Sequence, residues 1–102
     1  MRVIFKQPGS DCHQMIIPND KQLFQQLLGG PVEAFPLKDD TIVICNEHRK
    51  LLDLEENFQI THLNDTIKGP VIFAGFEDDK LTDINPLVAR FIRFSLNENG
   101  RI

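Results

Sequence analysis

The chain has 102 residues, enough for one domain but not for two separate hydrophobic cores. Its 15 acidic and 11 basic residues give a formal net charge of −4, which argues against a dedicated nucleic-acid-binding protein and is too mild for a mimic of DNA. The N-terminal residues Met1–Lys6 turn polar at once, so we expect neither a signal peptide nor a membrane anchor. Two cysteines, Cys12 and Cys45, do not make a disulfide framework, and we expect a cytoplasmic protein.

The first predicted elements form a β-hairpin. Arg2–Lys6 and His13–Ile17 are short runs of β-branched and aromatic residues, which are typical of strands. Between them, Pro8 suits the second position of a type II turn, and Gly9 suits the third, where φ is positive. The sequence therefore predicts two strands joined by a tight turn.

A short helix follows the hairpin. Asn19 offers a cap, and Gln22 stands three residues later, as in a capping box. Gly29-Gly30 permits a left-handed end and Pro31 cannot continue the helix, so we expect about two and a half turns. One apolar face is predicted, which consists of Leu23, Phe24, Leu27 and Leu28.

A second hairpin is predicted from Val32–Leu37 and Thr41–Cys45, which flank the turn Lys38-Asp39-Asp40. Ile42–Cys45 does not alternate with polar residues, so we expect this strand to be covered on both faces. A single turn packed on the core is predicted for Leu51, Leu52 and Leu54.

Two more strands are predicted before the last helix. Ile60–Leu63 is the weaker candidate and Val71–Phe76 the stronger one. Gly75 within the stronger run marks a bulge or a close approach of another backbone segment.

The C-terminal helix is predicted to start at a cap, Asp83 or Asn85, with Pro86 in its first turn, and to stop within Asn97–Gly100. Arg90 and Arg93 are predicted to face solvent. The predicted core-facing arc consists of Ile84, Leu87, Val88, Phe91, Ile92 and Phe94.

These elements predict a single α+β domain over residues 1–102. We expect a mixed, mainly antiparallel sheet of about five strands with two helices packed against it. The predicted core residues are Phe5, Leu27, Ile42, Ile44, Phe73, Leu87 and Phe91.

The sharpest chemical contrast in the chain lies where an apolar run, Ile42–Cys45, passes directly into the polar segment Asn46–Lys50. Polar groups at the end of a buried strand are often positioned for recognition. Asn and Glu would hydrogen-bond a partner, while Arg or Lys would offset anionic charge. A solvated loop is the other interpretation of this segment.

Cysteine and histidine residues raise two further possibilities. Cys45 and His48, together with Cys12 and His62, have some of the character of a zinc site, but a second closely spaced pair is missing, so we expect no metal. Cys45 with His48 or His62 is also the alternative for a small enzyme. A thiol that ends an apolar run is a poor nucleophile because burial raises its pKa.

Six short motifs are spread over the region from Leu28 to Asp83, which is a little over half of the chain. They are Gly29-Gly30, Cys45-Asn46-Glu47, Lys50-Leu51, Asn57, Ile67-Lys68-Gly69 and Leu81-Thr82-Asp83. The pattern resembles a small family of domains of unknown function from phages, plasmids and Gram-positive bacteria. Two positions depart from that family: Arg49 stands where it usually has Gly, and Phe58 stands where it favours Arg. The Phe58 departure counts against an anion-binding role beside Asn57.

The resemblance implies context more than chemistry, because the family has no assigned activity. It implies a small accessory or counter-defence protein of a phage or mobile element that acts by binding. We predict a non-enzymatic protein without a cofactor, whose partner is a host protein or a small anionic ligand such as a signalling nucleotide. The predicted contact residues are Asn46, Glu47, His48, Arg49, Lys50 and Asn57.

Two observations separate these partners. A ligand-binding protein requires a concave pocket, whereas a protein-binding one exposes an apolar patch beside the polar cluster. We also expect a homodimer through the last helix, in which Ile92 or Val88 meets the symmetry partner.

Overall fold

The computed structural model describes residues 1–102 as eight strands and two α-helices. The strands are β1 (Arg2–Lys6), β2 (His13–Ile16), β3 (Val32–Lys38), β4 (Thr41–Asn46), β5 (Glu56–Ile60), β6 (Asp65–Lys68), β7 (Val71–Glu77) and β8 (Lys80–Thr82). The helices are α1 (Lys21–Leu28) and α2 (Pro86–Asn99), and Thr61–Leu63 forms a 3₁₀ turn. Neither α-helix has the length and apolar character needed to cross a membrane.

Six strands form one sheet in the order β2-β1-β7-β4-β3, with β8 added to the C-terminal part of β7. Every strand pair in it is antiparallel. Gly75 lies where β7 meets β8, and a β-carbon at this position would lie 2.2 Å from the carbonyl oxygen of Asp83. The close backbone approach expected at Gly75 is therefore confirmed.

Both faces of the sheet are covered, which confirms the expectation for β4. One face packs against α1 through a cluster that includes Phe24 and Leu28. The other face packs against α2 and the separate β5–β6 hairpin, through a cluster that includes Phe58, Phe73 and Ile92. The result is a three-layered α+β domain, as the sequence predicts in outline.

Side-chain caps fix where the helices begin. Asp20, one residue after the predicted Asn19, caps α1 by accepting the Gln22 backbone N–H at 2.9 Å. Asn85 caps α2 and Pro86 is its first residue, as expected. Asp83 has another role. Its carboxylate accepts the Arg2 backbone N–H at 2.7 Å, and this bond connects the segment that precedes α2 to β1.

The predicted core face of α2 is wrong in three of its six members. Leu87 is 72% exposed and Phe91 is 46% exposed, and Phe94 also faces outward. The residues that α2 buries are Val88, Ala89, Ile92, Ser95 and Leu96. Apolar residues occur on two sides of this helix, and the side with Ala89 and Ser95 packs on the sheet because small side chains allow close approach.

This orientation also corrects the predicted homodimer contact. Ile92 is fully buried and Val88 is 9% exposed, so neither can meet a symmetry partner. Phe91 instead lies beneath the Lys38 ammonium group, which is 4.2 Å from the ring centroid. A homodimer itself stays a prediction.

Other differences concern strands and core residues. The main sheet is wholly antiparallel and has six strands, and the Ile60–Leu63 candidate is the end of β5 followed by a 3₁₀ turn. The short strands β6 and β8 were not predicted, because their sequences carry little apolar alternation. Phe5, Ile44 and Phe73 are buried as expected, whereas Leu27 and Ile42 are only partly buried.

Candidate functional site

The polar segment after β4 begins with a buried anchor. Asn46 is only 1% exposed, its side-chain amide donates to the Leu28 carbonyl at 3.0 Å, and its side-chain oxygen accepts the His48 backbone N–H at 2.7 Å. The bond to Leu28 satisfies a carbonyl at the end of α1, and the bond from His48 starts a tight turn. Asn46 therefore joins α1, β4 and the following loop.

Arg49 is the other anchor of this loop. It is 8% exposed, and its guanidinium pairs with the Glu33 carboxylate on β3 and donates to the Asn46 carbonyl at 3.2 Å. Its Nε atom is buried without a partner, and none of the cavities in the protein is lined by Arg49. Arg49 thus fastens the loop to the edge strand β3.

The loop then makes one helical turn. The backbone N–H groups of Leu52 and Leu54 donate to the carbonyls of His48 and Arg49 at 2.9 and 3.0 Å. Farther along, Asp53 pairs with Lys68 of β6 at 2.7 Å. The turn expected here is present, but its predicted packing is wrong for two of its three leucines: Leu51 is 85% exposed and Leu52 is 56% exposed, whereas Leu54 is partly buried.

Three of the six predicted contact residues face solvent. Glu47, His48 and Lys50 are exposed and make no side-chain hydrogen bond or ion pair. We define the loop surface as these three residues together with Leu51 and Leu52. It combines an apolar pair with side chains of both charges.

Asn57, the sixth predicted contact residue, has a structural role, because it joins separate parts of the chain by hydrogen bonds. Its side-chain amide donates to the carbonyls of Gly69 and Lys6 at 2.8 and 3.1 Å, and its oxygen accepts from the Lys6 ammonium at 2.6 Å. Lys6 is 5% exposed, and burial lowers its pKa below the ordinary lysine value. Asn57 lies at the same end of the sheet as Asn46, because β1 and β4 both end beside the start of β7.

The structure separates the cysteine and histidine residues. Cys12 and Cys45 are both buried, and burial raises the pKa of each thiol to about 11. His48 and His62 are exposed on different loops. No three His, Cys, Asp or Glu side chains gather closely enough to hold a metal ion.

The larger cavities lie away from the loop surface. None is lined by residues 46–57, so the predicted contact residues do not form a pocket. A groove of about 320 Å³ instead lies between the β1–β2 hairpin and α2. We call it the arginine groove, and it is lined by Arg2, Gln14, Ile84, Pro86, Ala89, Arg90 and Arg93. Sequence reasoning missed it, although the paired Arg90 and Arg93 on one helix were a usable signal.

The fold and these surfaces define a small three-layered α+β domain with polar groups concentrated at the two ends of its sheet. The chain belongs to the family described as "Domain of unknown function (DUF3846)", whose family model matches residues 1–94. The match spans all eight strands, α1 and most of α2, and it confirms the expectation of a domain-of-unknown-function family. No curated protein and no solved structure matches the chain.

Proposed function

We propose that this protein is a non-catalytic binding protein that occupies another protein through the loop surface. The observation that carries the proposal is the exposure of two adjacent leucines, Leu51 and Leu52, at 85% and 56%. Exposed leucines are common singly, but an adjacent pair bordered by charged residues has the composition of a contact region, with an apolar centre and a polar rim.

The hydrogen bonds and the ion pair of the loop support this role. Asn46 and Arg49 hold its first turn by hydrogen bonds and an ion pair, and backbone bonds hold the turn that carries the leucines. A surface that is ordered before binding loses less conformational entropy when the partner arrives. In this proposal Glu47, His48 and Lys50 contact the partner directly, whereas Asn46, Arg49 and Asn57 maintain the shape of the surface.

A protein partner fits the loop surface better than a small ligand does. The surface lines no cavity, and small-molecule sites are usually concave. The partner should present an apolar depression for the leucines, with polar groups of both charges around it. We expect the protein to bind this partner in the bacterial cytoplasm and to act as an accessory or counter-defence factor of a phage or mobile element.

The non-catalytic part of the proposal is supported by the state of Cys45. Its thiol is fully buried and its pKa is raised to about 11, so little thiolate is present at neutral pH. We expect native Cys45 to resist iodoacetamide at neutral pH and Cys45→Ser to retain binding. Rapid alkylation of the folded protein would favour the enzyme alternative.

The test compares affinity capture from a bacterial lysate by three proteins. They are the wild type, the double variant Leu51→Asp/Leu52→Asp, and the single variant Leu63→Asp, which serves as a control at a leucine that is 48% exposed on the 3₁₀ turn. We expect one host protein to bind the wild type and the control but not the double variant. The same dependence should hold with the purified partner, with a loss of roughly 100-fold or more in affinity. Binding that survives the double variant would contradict the proposal.

A further inference from the structure

The arginine groove is built from two separate parts of the chain. Arg2 and Gln14 lie on the sheet face that carries α2, because Arg2 stands two residues before Ile4 and Gln14 is paired with Ile4, whose side chain packs in the α2 layer. Arg90 and Arg93 come from α2 itself. The groove thus has one wall from the hairpin and one from the helix, and its volume of about 320 Å³ is within the range of small-ligand sites.

The charge in this groove is concentrated and unpaired. Three of the five arginines in the chain line it, although the protein carries a net charge of −4. The protein has two ion pairs, which involve Arg49 and Lys68, so no carboxylate lies within 4.0 Å of the Arg2, Arg90 or Arg93 guanidinium groups. No acidic residue lines the groove.

Positive charges that lie together without counter-charges repel one another, which is unfavourable for the free protein. Arg90 and Arg93 add to this repulsion because they are neighbours on one helix. Such an arrangement becomes favourable when an anion enters. Guanidinium groups bind phosphate oxygens through paired N–H donors. Three guanidinium groups around one groove therefore suit a phosphate group, which has several charged oxygens, better than they suit a single carboxylate.

Another depression, of about 360 Å³, adjoins the arginine groove and shares Arg90 and Arg93 with it. It adds Phe94, whose side chain is 66% exposed, together with Asn97 and Glu98. The Asn97 oxygen already accepts the Cys12 backbone N–H at 2.9 Å, which leaves its amide N–H groups free to donate. An exposed ring beside a donor and an acceptor suits a nucleobase, which stacks on aromatic faces and hydrogen-bonds at its edge.

We propose that the arginine groove and this adjoining depression bind a nucleoside phosphate. Arg2, Arg90 and Arg93 hold the phosphates, Phe94 stacks on the base, and Asn97 and Glu98 contact the base edge. The proposal is independent of the loop surface, because Arg2 begins β1 at the end of the sheet opposite to the point where β4 ends.

The test is isothermal titration calorimetry of the intact protein at low ionic strength. The probes are ATP, GTP, CTP and UTP, with tripolyphosphate and adenosine as the two halves of the ligand. We expect at least one nucleoside triphosphate to bind, tripolyphosphate to bind more weakly, and adenosine alone not to bind measurably. Arg90→Gln and Arg93→Gln should each weaken binding by roughly 10-fold or more, because each removes hydrogen bonds to a charged group.

Two further variants define the ligand class. Phe94→Ala should weaken nucleotide binding by about 5-fold or more without weakening tripolyphosphate. Arg101→Gln removes the same charge as Arg93→Gln, but at an exposed arginine outside the arginine groove and the adjoining depression. It should leave the affinity for the nucleotide unchanged. The proposal is overturned if no nucleotide binds at millimolar concentration, if Arg101→Gln weakens binding as much as Arg93→Gln, or if Phe94→Ala has no effect. Tighter, arginine-dependent binding of a ten-nucleotide DNA strand would replace it with a nucleic-acid site.

Discussion

The two ends of the central sheet differ in how their polar side chains are used. Where β1 and β4 end, Asn46 and Asn57 make hydrogen bonds that join separate parts of the chain, and Arg49 pairs with Glu33. At the opposite end, Arg2 joins the helix residues Arg90 and Arg93 in a groove without a carboxylate. In the sequence, the residues at the end with Asn46 and Asn57 have the pattern of a binding site. The residues at the end with Arg2, Arg90 and Arg93 have the pattern of ordinary solvated charge.

This comparison shows that burial and hydrogen bonding decide the role of a polar residue more than its type does. The Asn46 side chain is buried and bonded at both ends of its amide, so it presents no accessible group to a ligand and stabilises the fold instead. Exposed arginines without partners retain all of their donors. The loop surface accordingly depends on its leucines and its three exposed polar residues, and the groove depends on its charge.

The largest predicted effect tests the orientation of α2, which directs Arg90 and Arg93 into the groove. Ile92→Ala should lower the free energy of unfolding by about 2–5 kcal/mol, because the side chain is fully buried. Phe91→Ala should cost less, about 1–2 kcal/mol, since the residue is 46% exposed and loses mainly its contact with Lys38. Urea denaturation of both variants gives the two values. Equal losses would mean that α2 packs through a different face.

The next effect tests the structural role assigned to the loop anchor. Asn46→Ala leaves the Leu28 carbonyl and the His48 N–H without their partners, so we expect a loss of about 2–3 kcal/mol in urea denaturation. Glu47→Ala, one residue farther on and exposed, is the control and should change stability by less than about 0.5 kcal/mol. A similar small change for Asn46→Ala would leave Asn46 available as a contact residue.

Alkaline pH tests the burial of Cys45. Its pKa is about 11 in the folded protein against an ordinary value of 9.0, so the folded state binds the proton more tightly and stability falls as pH rises from 9 to 11. The contribution of this thiol to that loss is roughly 2 kcal/mol. Cys45→Ala should reduce the loss by that amount. Cys12 and Lys6 titrate in both proteins, so their effects cancel in the difference. Identical pH profiles would mean that Cys45 is accessible to solvent when folded.

The smallest effect concerns the groove arginines. Arg93→Gln removes one like charge from an unpaired cluster and breaks no ion pair, so stability should change by less than about 0.5 kcal/mol and is expected to rise. Thermal melts in low and high salt give the sign, because salt screens the repulsion. A loss above about 1 kcal/mol would show that Arg93 has an intramolecular partner.

Much of the fold is accessible from local sequence patterns. The two hairpins, both helices and the close approach at Gly75 follow from turn residues, caps and periodicity, which act over a few residues. The face of α2 does not, because apolar side chains occupy two sides of the helix and the choice depends on packing against the sheet. The arginine groove is harder still, since Arg2 on β1 and Arg93 on α2 come together only when α2 packs on the sheet.

The role of Asn46 is equally hidden in the sequence. Its partner at Leu28 is 18 residues away, and only the tertiary structure brings the end of α1 to the end of β4. A polar residue after a buried strand is therefore compatible with both a site and an anchor until its neighbours are known.

The most direct test of the contrast between the two ends is an amide NMR titration of the intact protein with the nucleoside triphosphate that binds best. We expect shift changes to concentrate at Arg2, Gln14, Arg90, Arg93 and Phe94, while the amides of residues 46–57 stay unchanged. Changes centred on residues 46–50 would contradict the account, because they would place ligand binding at the end of the sheet where the buried polar groups are already bonded.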